Sequence, residues 1–340
     1  VKRLRHAWAR LGDEALLDMR LCDLRLRLAG TAVQARIARL YRELAARGIA
    51  FRPHAWLAVD WFSPDGVPGF AVPFYLAHPR LTRLERRMTG EAEGANRNWQ
   101  MRILRHEAGH AIDSAYRLRR RSRWRALFGP ASRRYAAQYR VRPASRNHVQ
   151  HLGEWYAQAH PTEDFAETFA VWLQPRSGWR RRYALWPARR KLEYVAQLAA
   201  EIGRRAPPVG GRERIEALED STMTLREHYR RKRAAQHRRQ RLLADTSLRK
   251  VFASAVDARH AAPAAALLRA YKPRLRASLQ KRAGADRYAA QQIVRLAIER
   301  CQQLGLRQRG SRRTTVARLR AALVRVARGY IASDALRMRL

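Results

Sequence analysis

A chain of 340 residues, 46% of them apolar, is long enough to bury one large or two moderate cores, yet no apolar run approaches the ~18 residues that a membrane-spanning helix needs. Its two cysteines, Cys22 and Cys301, stand far apart with no C-x-x-C neighbour, which leaves no sign of a disulfide framework or a thiolate zinc site; with no apolar signal core near the first residues, a cytoplasmic setting is the default expectation. The formal charge of +43 comes from 71 basic against 28 acidic residues, and it reads either as an arginine bias of the coding genome or as the footprint of a polyanionic partner.

Along the chain, "TAVQARIARLYRELAARG" has the apolar spacing of an amphipathic helix, ended by Gly48. "HAWLAVDWF" and "FAVPFYLAH" have strand composition and flank the turn-rich "SPDGVPG", so a hairpin is expected, with Pro73 placing the second strand at a sheet edge. A helix around "RHEAGHAID" follows, then an arginine-rich connection, then the helices "EDFAETFAVWL" and "PARRKLEYVAQLAAEIG". All nine tryptophans precede "APPVGG" at 206–211, and the remainder is richer in charge with apolar residues at helical spacing. The expected architecture is therefore α+β: a domain over 1–205 with a small antiparallel or mixed sheet and active-site helices, a linker at 206–211, and an all-α basic domain over 212–340.

Chemistry concentrates in "RHEAGHAID", residues 105–113. At 3.6 residues per turn, His106 and His110 project from one helix face and can reach a single ion, while Leu104, Ala108, Ala111, Ile112 and Ala115 form an apolar stripe on the other side. Gly109 weakens the helix by about 1 kcal/mol relative to alanine, which predicts that another element passes too close for a side chain. Glu107, next to a ligand, is placed to act as general base toward a zinc-bound water.

A catalytic site needs a third protein ligand. In "YAQAHPTEDFAETFAVWL", residues 156–173, Pro161 suits the first helical position, and this puts Glu163 in the first turn, where the helix dipole favours an ionised carboxylate. Glu167 lies one turn on, and both glutamates need partners on an otherwise apolar helix. His160, preceding a proline, is expected to be extended and exposed, with a minor claim as a competing ligand.

"HEAGHAID" followed some fifty residues later by "YAQAHPTEDFAE" resembles the gluzincins, zinc peptidases with a glutamate ligand, and most of all the catalytic domain of anthrax-toxin lethal factor and the Mlc titration factor A group. In the lethal-factor pattern a ligand glutamate is followed by two residues, alanine and a second glutamate, with a tyrosine seven positions before the ligand. Here Glu163, Ala166, Glu167 and Tyr156 occupy those positions, and Asp164 replaces a phenylalanine. The resemblance implies one zinc ion on His106, His110 and Glu163, Glu107 as base, Tyr156 as oxyanion donor, and Asp113 and Glu167 as residues that orient the histidines. It also implies hydrolysis of peptide bonds in a peptide or protein substrate.

The reading from a different class is a regulator that binds a protein or a polyanion such as nucleic acid, its zinc site structural or vestigial. Its best feature is the basic run "RRKRAAQHRRQR" at 230–241, which lacks the aromatic interleaving of single-strand binders. Steep salt dependence of DNA binding would favour it.

Overall fold

The computed structural model describes every residue except 1–5, 137, 143–144, 154, 239–244, 286, 333–335 and 340. Its described residues form two compact units, 1–135 with 146–237 and 136–145 with 238–340. The first contains α1 (Asp13–Leu17), α2 (Ala32–Ala45), β1 (His54–Ala58), β2 (Gly69–Pro73), α3 (Pro79–Thr89), α4 (Arg97–Tyr116), α5 (Ser122–Phe128), α6 (Pro161–Leu173), α7 (Trp179–Arg182), α8 (Ala188–Ile202) and α9 (Leu225–Arg238). It is mostly helical with one small sheet, consistent with α+β.

That sheet is parallel, with Trp56 of β1 opposite Ala71 of β2. The expected hairpin exists only as one bridge: "SPDGVPG" turns the chain so that Phe62 lies antiparallel to Ala71, whose amide donates to the Phe62 carbonyl at 2.8 Å. Residues between Ala58 and Phe62 carry the chain from β1 to that bridge, and β2 is buried along its whole length. Pro73 is the last residue of β2, where the chain passes into a 3₁₀ turn over Phe74–Ala77. A proline that ends a strand removes no interior ladder donor. β2 is thus an outer strand of a two-stranded sheet, as the sequence predicts, but it is buried and Pro73 stands at its end.

Two helices carry the candidate site. α4 begins at Asn96, whose side-chain carbonyl accepts from the amides of Asn98 and Trp99 at 2.9 and 3.3 Å, and ends at Arg117 in the left-handed conformation, φ 51°. α6 begins at His160 and Pro161, as the sequence predicts, and every one of its residues is buried. Trp124, Phe128, Phe165 and Phe169 pack in tilted and edge-to-face contacts around α6, with ring centroids 5.2–6.3 Å apart. On the other side of α4, Arg105 forms a bidentate pair with Glu43 of α2 at 2.7 and 2.9 Å, so the residue before His106 is anchored by a buried ion pair.

The two helices touch at Gly109. A Cβ there would lie 2.9 Å from the Cα of Ala166 and 3.2 Å from both the Ala166 carbonyl and the Phe169 Cβ. The helix-weakening glycine thus has the cause that the sequence predicts: another backbone occupies its side-chain space.

"APPVGG" runs inside the first unit, where Val209 donates its amide to Ala115 at the end of α4. The following segment adds Leu218, Leu225 and Tyr229 to the same core, and Lys232 places its Nζ 2.8 Å from the buried Glu85. These side chains, with backbone bonds from Leu21 to Met223, Cys22 to Ser221 and Leu225 to Met19, seat the stretch on the first unit, so the units divide near residue 237 and not at the proline-glycine segment. Residues 239–241 of the basic run lie outside the described residues.

The second unit contains β3 (Gln138–Val141), α10 (Asp245–Val251), α11 (Ala264–Ala270), α12 (Lys272–Ala283), α13 (Arg287–Gln303), α14 (Arg312–Ala332) and β4 (Leu336–Arg339). α13 packs on α11 and α12, and α14 packs on α12, over a core that includes Phe252, Leu268, Leu275, Ile293 and Leu319. It departs from an all-α tail in one respect: β3, drawn from earlier in the chain, pairs antiparallel with β4. No helix among the described residues is long and apolar enough to cross a membrane.

Gly109→Ala should lower the melting temperature, because the contact with the Ala166 backbone, about 1–3 kcal/mol of overpacking, outweighs a helix-propensity gain of about 1 kcal/mol. Thermal unfolding of the variant at equal or higher temperature would show that the two helices can part at no cost.

Candidate metal centre

The one-turn separation of His106 and His110 on α4 turns their Nε2 atoms toward each other at 3.1 Å. Glu163, in the first turn of α6, closes the figure: its Oε2 is 3.0 Å from His106 Nε2 and 3.2 Å from His110 Nε2. A tetrahedral zinc ion with bonds of ~2.0–2.1 Å would hold its donors about 3.3 Å apart. The observed triangle is within a few tenths of an ångström of that size. Its atoms are lone-pair donors converging on one point inside the protein, an arrangement that repels itself unless a proton or cation stands among them. Among the described residues these three form the group of histidine and acidic side chains able to hold a metal ion.

Around the triangle, partners fix each donor's orientation. Glu167 Oε1 accepts from His106 Nδ1 at 3.1 Å, which leaves the Nε2 lone pair facing the other two donors, and Glu167 Oε2 accepts the amide of Leu152 at 2.8 Å. The second oxygen of Glu163, Oε1, accepts from the Tyr135 hydroxyl at 2.8 Å, which leaves Oε2 for the histidines. Electrostatics agree with the geometry. Burial opposes both charges, yet the hydrogen bonds that His106 donates to Glu163 and Glu167 hold it well above the ordinary histidine range, and His110 and His106 hold Glu163 well below the carboxylate range. The site's field favours positive charge at its centre.

Glu107 is buried on the same helix. Its Oε2 accepts from Ser63 Oγ at 2.9 Å, and burial raises its pKa against the pull of His106 and His110. Tyr156 opens a 3₁₀ turn over Tyr156–Gln158, with its ring 5.7 Å from that of His106. The structure therefore brings His106, His110, Glu163, Glu167, Glu107 and Tyr156 together.

Asp113 lies elsewhere in the hydrogen-bond network. Its carboxylate accepts the backbone amide of Arg119 at 2.8 Å and the Arg119 Nε at 2.7 Å, while Arg119 also reaches Asp65 at 2.6 Å. Asp113 closes the C-terminal end of α4, and its carboxylate is engaged by Arg119 instead of a histidine. His160 is extended as expected, φ −154° and ψ 154°, but buried. Its Nδ1 accepts the Thr162 amide at 3.3 Å and its Nε2 donates to the Arg133 carbonyl at 2.6 Å, so the ring caps α6.

Two partners of the site have no local signature in the sequence. Ser63 belongs to the turn after β1, and Tyr135 to the arginine-rich connection. Tyr135 stacks on His160 with centroids 3.8 Å apart and has its hydroxyl 2.5 Å from Thr162 Oγ1, so the cap of α6 also aims the phenol at Glu163. Asp164, next to the ligand, points away to Lys191 at 2.5 Å; burial pushes its carboxyl up to about 7 although Lys191 pulls it down.

The family described as "Putative zinc-binding metallo-peptidase" matches residues 100–179. This segment runs from α4 into α7 and holds every residue of the triangle, Glu107 and both tyrosines. The match supports a zinc metallopeptidase. It also supports peptide or protein as the substrate class, and the His-His-Glu triangle supports zinc as the metal. No curated protein and no solved structure matches the chain significantly.

Tyr135→Phe should keep the fold and weaken zinc binding by about 10–100-fold, the usual effect of losing a hydrogen bond to a ligand; competition titration against a chromophoric chelator reads it directly, and unchanged affinity would remove Tyr135 from the site. Lys191→Met should destabilise the chelated protein more at pH 8 than at pH 6. The Asp164 carboxyl titrates in the folded state at about 7, above its unfolded value, so its stability contribution is lost as pH rises through 7, when it ionises and needs Lys191. Equal melting shifts at both pH values would contradict the pairing.

Proposed function

We propose that the first unit is a gluzincin-type zinc peptidase holding one zinc ion on His106, His110 and Glu163, as the resemblance to the lethal-factor catalytic domain implies. The observation that carries this reading is the 3.0–3.2 Å triangle formed by two imidazoles and one carboxylate from separate helices. Bound there, zinc would supply Lewis acidity, polarising a peptide carbonyl and acidifying a neighbouring water.

The chain's own residues do the rest. Glu107 takes the proton of the attacking water and returns it to the leaving amine. Its burial raises its pKa above the ordinary carboxylate value, which makes it a stronger proton acceptor. Ser63 donates to one Glu107 oxygen and so fixes which oxygen is free to act. Tyr156 is the oxyanion donor, as the resemblance implies, its ring lying beside that of His106. Glu167 holds the His106 tautomer through Oε1, while its Oε2 is anchored by the Leu152 amide.

Glu107→Gln should keep zinc at wild-type stoichiometry and lower kcat on a fluorogenic peptide library by about 10²–10⁴-fold, the usual weight of a general base. Metal analysis beside the kinetics separates the outcomes: retained zinc with undiminished turnover would overturn the assignment of the base, and absent zinc in the wild-type protein would overturn the site.

A further inference from the structure

The second unit contains a helix pair with no negative charge. α12 carries Lys272, Arg274, Arg276, Lys281 and Arg282, and α14 carries Arg312, Arg313, Arg318, Arg320, Arg325 and Arg328, with no aspartate or glutamate on either helix. Where the two pack, Tyr271, Arg274, Arg312, Arg313, Val316, Ala317 and Arg320 line an open groove of about 520 Å³.

Arginine codon bias accounts for arginine in place of lysine but not for missing counter-charge. α13, which packs against both helices, shows the contrast: Arg295 pairs with Glu299 at 3.1 Å, and Arg300 takes Asp245 bidentately at 2.7 Å. In the groove, none of the four arginines meets a carboxylate among the described residues. Arg274 and Arg312 instead flank the ring of Tyr271, with guanidinium carbons 5.6 and 5.1 Å from its centroid. Cation–π contact orients a guanidinium without neutralising it, so the N–H forks remain available to an anion. Such concentrated like charge disfavours the compact state unless something brings the counter-charge.

We propose that this groove is a binding surface for the phosphate backbone of duplex nucleic acid, a role separate from the zinc site. Arginine suits phosphate because its planar fork donates two parallel hydrogen bonds. Exposed large apolar side chains among the described residues are Leu11, Tyr135, Leu185, Ile215 and Val256, none on α12 or α14, so the groove lacks the apolar anchor that an anionic membrane surface requires. Tyr271 is one ring, where a single-strand platform stacks successive bases on several. Phosphate contacts of this kind are indifferent to sequence.

The test is fluorescence anisotropy of a short labelled random-sequence DNA duplex with the full chain. Four phosphate contacts give a log–log salt slope of about −3 to −4, so affinity should fall roughly a hundredfold between ~50 and ~200 mM salt. Changing Arg274, Arg312, Arg313 and Arg320 together to glutamine should flatten that slope and weaken binding at least tenfold at low salt. The same net change at four exposed arginines of the first unit, Arg10, Arg83, Arg86 and Arg190, should change it less than about threefold. The single reversal Arg313→Glu, at an exposed position, repeats the test with less disturbance to folding and should also weaken binding. Both groove variants should keep zinc content and peptide turnover, which separates this proposal from the peptidase reading. Equal losses in the groove and control variants, no duplex binding at low salt, or tighter binding to phosphatidylserine vesicles than to duplex would each overturn it.

Discussion

The site depends on how closely two helix backbones approach. Gly109 sits between the two histidines of α4, and Ala166 stands one turn after Glu163 on α6, so their contact sets the distance between imidazoles and carboxylate. Any side chain at position 109 would push α6 away, and the same displacement would open the 3.0–3.2 Å triangle. Packing and chemistry are therefore one constraint here: the residue that is poorest for helix stability is the one that lets the second helix deliver its ligand.

Burial then raises the stakes. α4 and α6 are covered on nearly all sides, so each polar group near their contact must find a partner or be expensive to keep. The partners come from three connecting segments: Ser63 for Glu107, the Leu152 amide for Glu167 and Tyr135 for Glu163. Rigid helices supply the reacting groups, and loops seated on them select which oxygen or nitrogen is free. This division suits a metal centre, since it fixes donor orientation without demanding length or regularity from the loops.

What could be read in the sequence follows the range over which each contact acts. The two histidines, Glu107 and the Glu163–Glu167 pair are encoded by spacing within single helices, and the strain of a glycine in mid-helix announced the crossing at Ala166. Ser63 and Tyr135 reach the site across intervals of more than twenty residues in segments without periodicity, so nothing local marks them. The proline rule predicted the extended backbone of His160 but not its burial, because burial is set by Tyr135 and Arg133. Similarly, the resemblance implied that Asp113 orients the histidines, but Arg119, six residues on, takes its carboxylate after the left-handed turn at Arg117. Strand composition found β1 and β2 but not their parallel pairing, which depends on where the chain crosses before its turn.

The chain thus joins a buried, cation-favouring site on one unit to an uncompensated basic groove on another, two different uses of charge in one sequence. In the first, charge is held inside by paired carboxylates; in the second, four groove arginines are exposed and meet no carboxylate among the described residues. Zinc K-edge X-ray absorption of the purified full chain tests the central claim most directly. One zinc is expected, with a nitrogen and oxygen shell at about 2.0 Å and the scattering signature of two imidazoles, reduced to one in His110→Ala. A sulfur shell near 2.3 Å, or a spectrum that His110→Ala leaves unaltered, would contradict it.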